Sequence, residues 1–355
     1  MKMRRIAAGL AVAVVLIVAI GLAVVPGIVD RGMNKVVGGP WPVSARAEAL
    51  HASLYVADMH GDTLLWQRDL DRAADRGHID LPRLEAGHVA LQIFSSVTKT
   101  PKGQNYEANG GDTDNITLMA MVQLQPVRTW GSLLERSLWH AEKLRRAVAR
   151  EPARLRRVLT ARDLTGQGVG AMLSVEGAQN LEGRLANLDR LYDAGFRMIG
   201  LAHFFDNEVA GSMHGLRKGG LTPFGLQVVR AMEAKSMIVD LAHCSHACFA
   251  DVMRVAARPV VVSHGGVIGI GYWDAAVCAP TPAATARAII YAAKVAGIDH
   301  VGLGSDFDGA VTTGFDTAHL DAVTQALLDA GLGDAAIAKV MGGNVRRLLA
   351  AGLPA

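Results

Sequence analysis

The sequence predicts an α/β protein, a TIM-like (β/α)₈ barrel with a transmembrane helix at its N-terminus, and three observations predict it. Short apolar runs rich in Val, Ile and Leu alternate with longer stretches of helical periodicity, the pattern of repeated βα units. These runs fall at 54–58, 90–95, 170–175, 198–202, 238–241, 260–263, 267–270 and 300–304, and several are continuously apolar, as strands buried on both faces must be. Six of them lead into His, Asp or Glu, and the C-terminal ends of barrel strands are where that architecture keeps its chemistry.

The bulk properties agree with one large domain. A length of 355 residues is long for an ordinary domain but usual for a barrel, and a hydrophobic content of 50% supplies a sizeable core. Net charge is only +3, and the basic excess is local. It lies in the first five residues and in KLRRAVAREPARLRR at 143–157. The second cluster has no interleaved aromatics to stack on bases, so it reads as a solvated helix face, and nucleic acid is excluded as a partner. Cys244, Cys248 and Cys278 are too few for a disulfide framework. Cys244 and Cys248, four apart, read as small buried hydrophobes in preference to a soft metal site.

The elements follow in order. Residues 6–25, IAAGLAVAVVLIVAIGLAVV, form an unbroken apolar run. As a helix it spans roughly the 30 Å of a bilayer's hydrocarbon core. Lys2, Arg4 and Arg5 hold its start in the cytoplasm, which places the rest of the chain on the periplasmic or extracellular side. The run is longer than the apolar region of a signal peptide, and Pro26-Gly27 ends it without an A-x-A site, so an uncleaved anchor is preferred over a cleaved signal. Residues 1–29 are thus read as the anchor, 30–50 as a linker containing Gly, Pro and charge, and 51–355 as the metallohydrolase barrel.

The first barrel run leads through SLYVADMHGDT into His60 and Asp62, which two-residue spacing puts on one side of the chain. Both are ordinary ligands of zinc-like ions, though H-x-D alone is a weak signal. After the second run, the polar stretch TKTPKGQNYEANGGDTDN at 98–115 reads as a lid. The third leads into Glu176, a carboxylate placed to bridge two metal ions. The fourth leads into His203, read as a donor that polarises the scissile carbonyl and, in second place, as a further ligand. Thr222-Pro223 then starts a helix, N-cap followed by N1 proline.

The fifth and sixth runs end at His243 and His264, with Ser245 capping a helix between them. One histidine on an apolar element is more often a core residue than a ligand. Two at equivalent strand ends, beside H-x-D and Glu176, reverse that expectation. The last run leads into Asp306, placed to take a proton from the attacking water and deliver it to a leaving amine. Asp308 is the alternative for that role, although support for the turn at Gly309 is the preferred reading. A final helix is expected near 335–350, and no internal repeat is visible.

The stretches DMHGDT, SVEG, GLAHFFDN, GLTPFGLQVVRAM, DLAHCS, VVVSHGG, GVIGIGYW and GLGSDFDG, in this order, resemble the membrane dipeptidase (renal dipeptidase) family of zinc metallopeptidases, from Asp58 to the C-terminal helix. The resemblance implies a site of two zinc ions, with His60 and Asp62 on one, His243 and His264 on the other and Glu176 bridging them. It implies that His203 binds substrate and stabilises the oxyanion and that Asp306 is the acid/base. The implied reaction is hydrolysis of a dipeptide, often one with a D-residue in second place, by a hydroxide held between the ions. The implied partners are a dipeptide and the lipid bilayer, with a homodimer as a candidate assembly. Two other readings stand beside it. One is a related amidohydrolase acting on N-acyl amino acids, lactones or phosphotriesters; the other is a catalytically impaired, membrane-tethered binding protein.

One departure from the family pattern falls after His264. VVVSHGGVIGIGY joins directly two strands that family members separate by a loop and helix, yet neighbouring parallel strands need a crossover of about a dozen residues or more. Either one strand is displaced or the barrel is locally incomplete there. The family's arginine for the substrate carboxylate lies in the absent segment. Arg217 and Lys218, in GSMHGLRKGG, are the candidate substitutes, although solvated loop charge is the simpler reading. Weak dipeptide binding is expected.

Overall fold

A computed structural model describes residues 2–265 and 268–355. Eight short strands make the framework: β1 (Val56–Gly61), β2 (Val89–Phe94), β3 (Val169–Val175), β4 (Phe196–Gly200), β5 (Ile238–Asp240), β6 (Val260–Val261), β7 (Gly269–Ile270) and β8 (Gly302–Leu303). Each lies in or beside one of the apolar runs. They pair in the order β6-β5-β4-β3-β2-β1-β8-β7, always parallel. The strand Leu155–Arg157 adds to the start of β3.

Alternation sorts the strand side chains into two cores. Ala57, Met59, Leu91, Met172, Met198, Ile238 and Val261 form one apolar cluster with Val345 and Leu349 of the last helix. Val56, Leu173, Ile199 and Val239, at the other phase, pack with helix residues such as Leu188, Val228, Met232 and Val252. This is the period of two expected of strands covered on both faces.

The barrel is nearly closed, and its gap lies where the sequence lacks a crossover. Among the described residues β6 and β7 form no ladder; one backbone hydrogen bond, Gly269 N to Val262 O at 3.0 Å, spans them. Gly266 and Val267, where the seventh predicted strand begins, lie outside the described residues. The direct connection fits because two neighbours have no side chain. A Cβ on Gly269 or on Gly304 would collide with the carbonyl oxygen of Ser263. Both strands are kept, at two ladder residues each.

Three local expectations change. The final helix is not continuous: Asp334–Ala338 and Asn344–Gly352 are separated by a π-type turn with non-helical backbone at Gly342. There the chain presses on β1 so closely that a Cβ would strike the Tyr55 carbonyl. Lys143 is not a solvated member of its basic cluster. Its ammonium turns inward to the carbonyls of Leu64 (2.7 Å) and Trp66, whereas Arg145, Arg146 and Arg150 remain exposed. Residues 30–50, expected as a linker, carry structure. The N-terminal helix runs from Lys2 to Met33, Lys35–Val36 pairs with Thr312–Thr313, and Ser44 caps Ala45–Ser53. Asp30 is buried against Arg68 and Arg76 (2.8 and 3.1 Å), and Trp41 Nε1 donates to Gly314 O (2.8 Å), so the segment is fastened to the barrel. The caps read from Thr222 and Ser245 are present, each hydroxyl accepting an amide hydrogen bond at 2.9 Å.

Candidate metal centre

The strand ends bring His60, Asp62, Glu176, His203, His243, His264 and Asp306 to one place. Glu176 is the hub. Its Oε1 lies 2.9 Å from His243 Nε2 and 3.2 Å from His264 Nε2. Its Oε2 lies 3.4 Å from His203 Nε2 and 3.8 Å from His60 Nε2. His60 Nε2 is 3.6 Å from Asp62 and 4.0 Å from Asp306. Three overlapping groups have the spacing of metal ligands: His60, Asp62 and Glu176; Glu176, His203 and His243; and His60, His264 and Asp306.

Two observations test whether cations fit. His60 Nε2 and Asp62 Oδ1 are buried without a hydrogen-bond partner, a costly state that a bound cation would relieve. His243 Nε2 and His264 Nε2 stand 2.8 Å apart, both facing Glu176, an approach of two ring nitrogens that a shared cation would account for. Imidazole nitrogens and carboxylate oxygens around a shared glutamate suit divalent ions of the zinc type.

The electrostatics agree. Burial lowers the pKa of His243 to about 3, which favours the neutral imidazole that a metal ligand must be. Burial also lowers His203. Burial opposes ionisation of Glu176, but His203, His60 and the hydrogen bonds from His243 and His264 prevail and hold it well below the usual carboxylate range. Burial opposes the His60 cation, yet Asp62 and Glu176 raise it well above an ordinary imidazole. Asp306 is the opposite case. Burial, reinforced by Asp62 and Glu176, raises it well above an ordinary aspartate despite the pull of His60.

Backbone and outer contacts hold these groups. His243 (φ 61°) and Asp306 (φ 57°) both sit in the left-handed region, which non-glycine residues adopt uncommonly. The Asp240 carboxylate accepts from Ser263 Oγ (2.5 Å) and from the amides of Ser263 and Ala242 (2.9 and 3.0 Å). Ser263 Oγ in turn meets His264 Nδ1 at 2.9 Å. Asp58 does the same for β1 and β8, accepting from the amides of Ser305 (2.9 Å) and His60 (3.2 Å). Sequence reasoning missed both carboxylates. Their signal was there: an aspartate inside an otherwise apolar strand, two or three residues before a candidate ligand histidine.

The centre opens into a cavity of about 390 Å³. Thr100, Gln104 and Tyr106 from the segment read as a lid form part of its wall. Much of the remainder is apolar, including Met33, Trp66, Ile116, Met119, Trp273 and Val311. Among the described residues the wall contains no Lys or Arg. Arg217 and Lys218 do not supply one: their amides are tied to Asp206 (2.7 and 3.2 Å), their side chains are exposed, and neither reaches the cavity. Asp308 is buried away from it, accepting from Thr63 Oγ1 and His78 N at 2.7 Å and paired with Arg68 at 2.8 Å. Cys244 and Cys248 are buried thiols with sulfurs 2.8 Å apart.

Comparison with known proteins adds three findings. The model of the family described as membrane dipeptidase (peptidase family M19) matches residues 44–270 and 264–352, two segments that meet at the direct β6–β7 connection. An uncharacterized dipeptidase of Schizosaccharomyces pombe is 28% identical over 270 residues, 65% of this chain and 61% of the relative, so the match spans under two thirds of that protein. Two solved structures share the fold. The probable dipeptidase PvdM of Pseudomonas aeruginosa has a TM-score of 0.71 at 19% identity, covering 86% of this chain and 97% of its own. A metallo peptidase of Rhodobacter sphaeroides, liganded with a phosphinate mimic of the dipeptide L-Ala-D-Ala, has a TM-score of 0.68 at 21% identity, covering 84% and 99%.

Proposed function

The chain belongs to the membrane dipeptidase family, peptidase family M19, and from that premise we propose that it is a membrane-anchored zinc dipeptidase, able to take substrates with a D-residue in second place. The observation that carries the reading is the convergence of His60, Asp62, His243 and His264 on Glu176, with His60 Nε2 and Asp62 Oδ1 left unpartnered. The dipeptide mimic bound by the Rhodobacter sphaeroides relative supports the substrate class. The apolar run of the N-terminal helix supports the anchor, with the barrel outside the cytoplasm.

His60 and Asp62 would hold one ion, His243 and His264 the other, and Glu176 both. Bound there, the ions supply Lewis acidity toward the scissile carbonyl and the attacking water. The protein's own groups do the rest. His203, in the cavity wall, donates to the carbonyl oxygen as negative charge gathers on it. Asp306, in the cavity wall 4.0 Å from His60, accepts the proton of the attacking water and passes it to the leaving amine. The low-dielectric wall of Trp66, Met119 and Trp273 excludes bulk water and strengthens both effects.

Metal analysis of the purified chain, with turnover of Ala-D-Ala and Ala-L-Ala, tests this. Two zinc ions per chain and hydrolysis of at least one dipeptide are expected; a metal-free chain inert on both would sink the reading. A cation-free, largely apolar wall favours a second reading, hydrolysis of a neutral ester or amide such as a lactone. A lactone turned over far faster than either dipeptide would select it.

A further inference from the structure

The N-terminal helix and the Ile116–Val122 helix meet beside the cavity mouth. Val25, the last residue of the apolar run, shares a groove of about 280 Å³ with Pro26, Val29, Leu118, Met119 and Val122. If the run spans the hydrocarbon core, the Ile116–Val122 helix lies level with the point where the chain leaves it. On its outer side, and on the turn that follows, stand large apolar side chains that none of the described residues covers. Leu118 is 66% exposed, Leu124 64% and Val127 72%. On its inner side Ile116 and Met119 line the metal cavity, together with Met33 from the end of the N-terminal helix.

We infer that the segment from Leu118 to Val127 seats in the interfacial layer of the lipid bilayer, holding the mouth of the barrel on the membrane. The inference rests on the reading of the N-terminal helix as an anchor. Its occupant is lipid because the exposed patch continues the apolar surface of that helix at the level where the helix leaves the bilayer. Large apolar side chains exposed together on one short stretch mark an interaction site, and burying one side of a short helix at the headgroup boundary is how interfacial segments bind. One helix then serves both sides, its outer face on lipid and its inner face on the cavity. A substrate with an apolar part would reach the metal centre from the interface without first crossing bulk water.

Spin-label accessibility on the full chain in phosphatidylcholine/phosphatidylglycerol vesicles tests the inference. Cys278→Ser removes the exposed thiol, and Cys244 and Cys248 are buried. Into that background go Leu124→Cys and Val127→Cys, singly. Val15→Cys within the anchor run gives the lipid reference. Ala350→Cys, on the last helix at the opposite end of the barrel, gives the aqueous reference. Labels at 124 and 127 are expected to prefer oxygen over a polar nickel chelate, as at 15 and unlike 350. Aqueous values at both positions, with lipid values at 15, overturn the inference and leave the anchor intact. Aqueous values at 15 as well overturn the anchor and the inference together. Unchanged metal content shows that the labelled chains are folded.

Discussion

In the mechanism proposed above Asp306 carries the proton transfer, and its situation fixes what a substitution should do. It lies 4.0 Å from His60, and burial beside Asp62 and Glu176 raises its pKa. Asp306→Asn keeps the shape and removes the proton acceptor, so kcat should fall by about 10²–10⁴-fold with zinc content unchanged. Unaltered turnover would remove Asp306 from the mechanism. Asp240 acts one step further out, through Ser263 on His264. Asp240→Asn should weaken zinc binding by about 10–100-fold while turnover per bound pair of ions changes little. A chelator titration reads the first and single-turnover rates at saturating zinc the second; equal losses in both would make Asp240 more than a positioning group. At this scale the sequence was informative wherever a histidine or carboxylate ended an apolar run. Asp240 and Asp58 escaped because they lie within the strand, where no spacing rule separates a brace from a buried accident.

The elements show where strand periodicity sufficed and where it did not. Eight apolar runs marked eight strands because barrel strands are buried on both faces and tolerate little else. The missing crossover after His264 was legible too, since parallel neighbours need a length of chain that VVVSHGGVIGIGY does not have. How the chain resolves it was not legible. Gly269 and Gly304 read as ordinary glycines until the Ser263 carbonyl is seen against both. Gly304→Ala should therefore destabilise the barrel by about 1–3 kcal/mol through overpacking on backbone that cannot give way. It should also lower zinc occupancy at the His243–His264 side, because His264 follows the displaced residue directly. A melting temperature within about a degree of the parent's would show that the junction is loose and the glycine incidental.

At the scale of the whole molecule, the N-terminal helix and the barrel are joined through charge as well as apolar contact. Arg68 is buried between Asp30, at the end of the N-terminal helix, and Asp308, behind the metal centre, at 2.8 Å from each. Nothing in residues 30–50 announced this; a lone aspartate near Gly and Pro reads as linker until its partner is known. Burial opposes ionisation of Asp308, but the charge of Arg68 and the contacts with His78 outweigh it and hold the carboxyl far below the ordinary range. A depressed folded-state pKa stabilises the fold above the unfolded aspartate value of about 3.9 and loses that contribution as pH falls below it. Breaking one arm of a buried pair costs about 3–5 kcal/mol, and the Asp30 arm that survives points to the lower end. Asp308→Asn should thus lower the melting temperature at neutral pH and flatten its decline between about pH 5 and pH 2. The measurement belongs on the full chain stripped of metal, so that acid release of a bound ion does not enter the melt. A parallel acid decline in parent and variant would place the acid-sensitive charge elsewhere and reduce the Arg68 bridge to a packing contact.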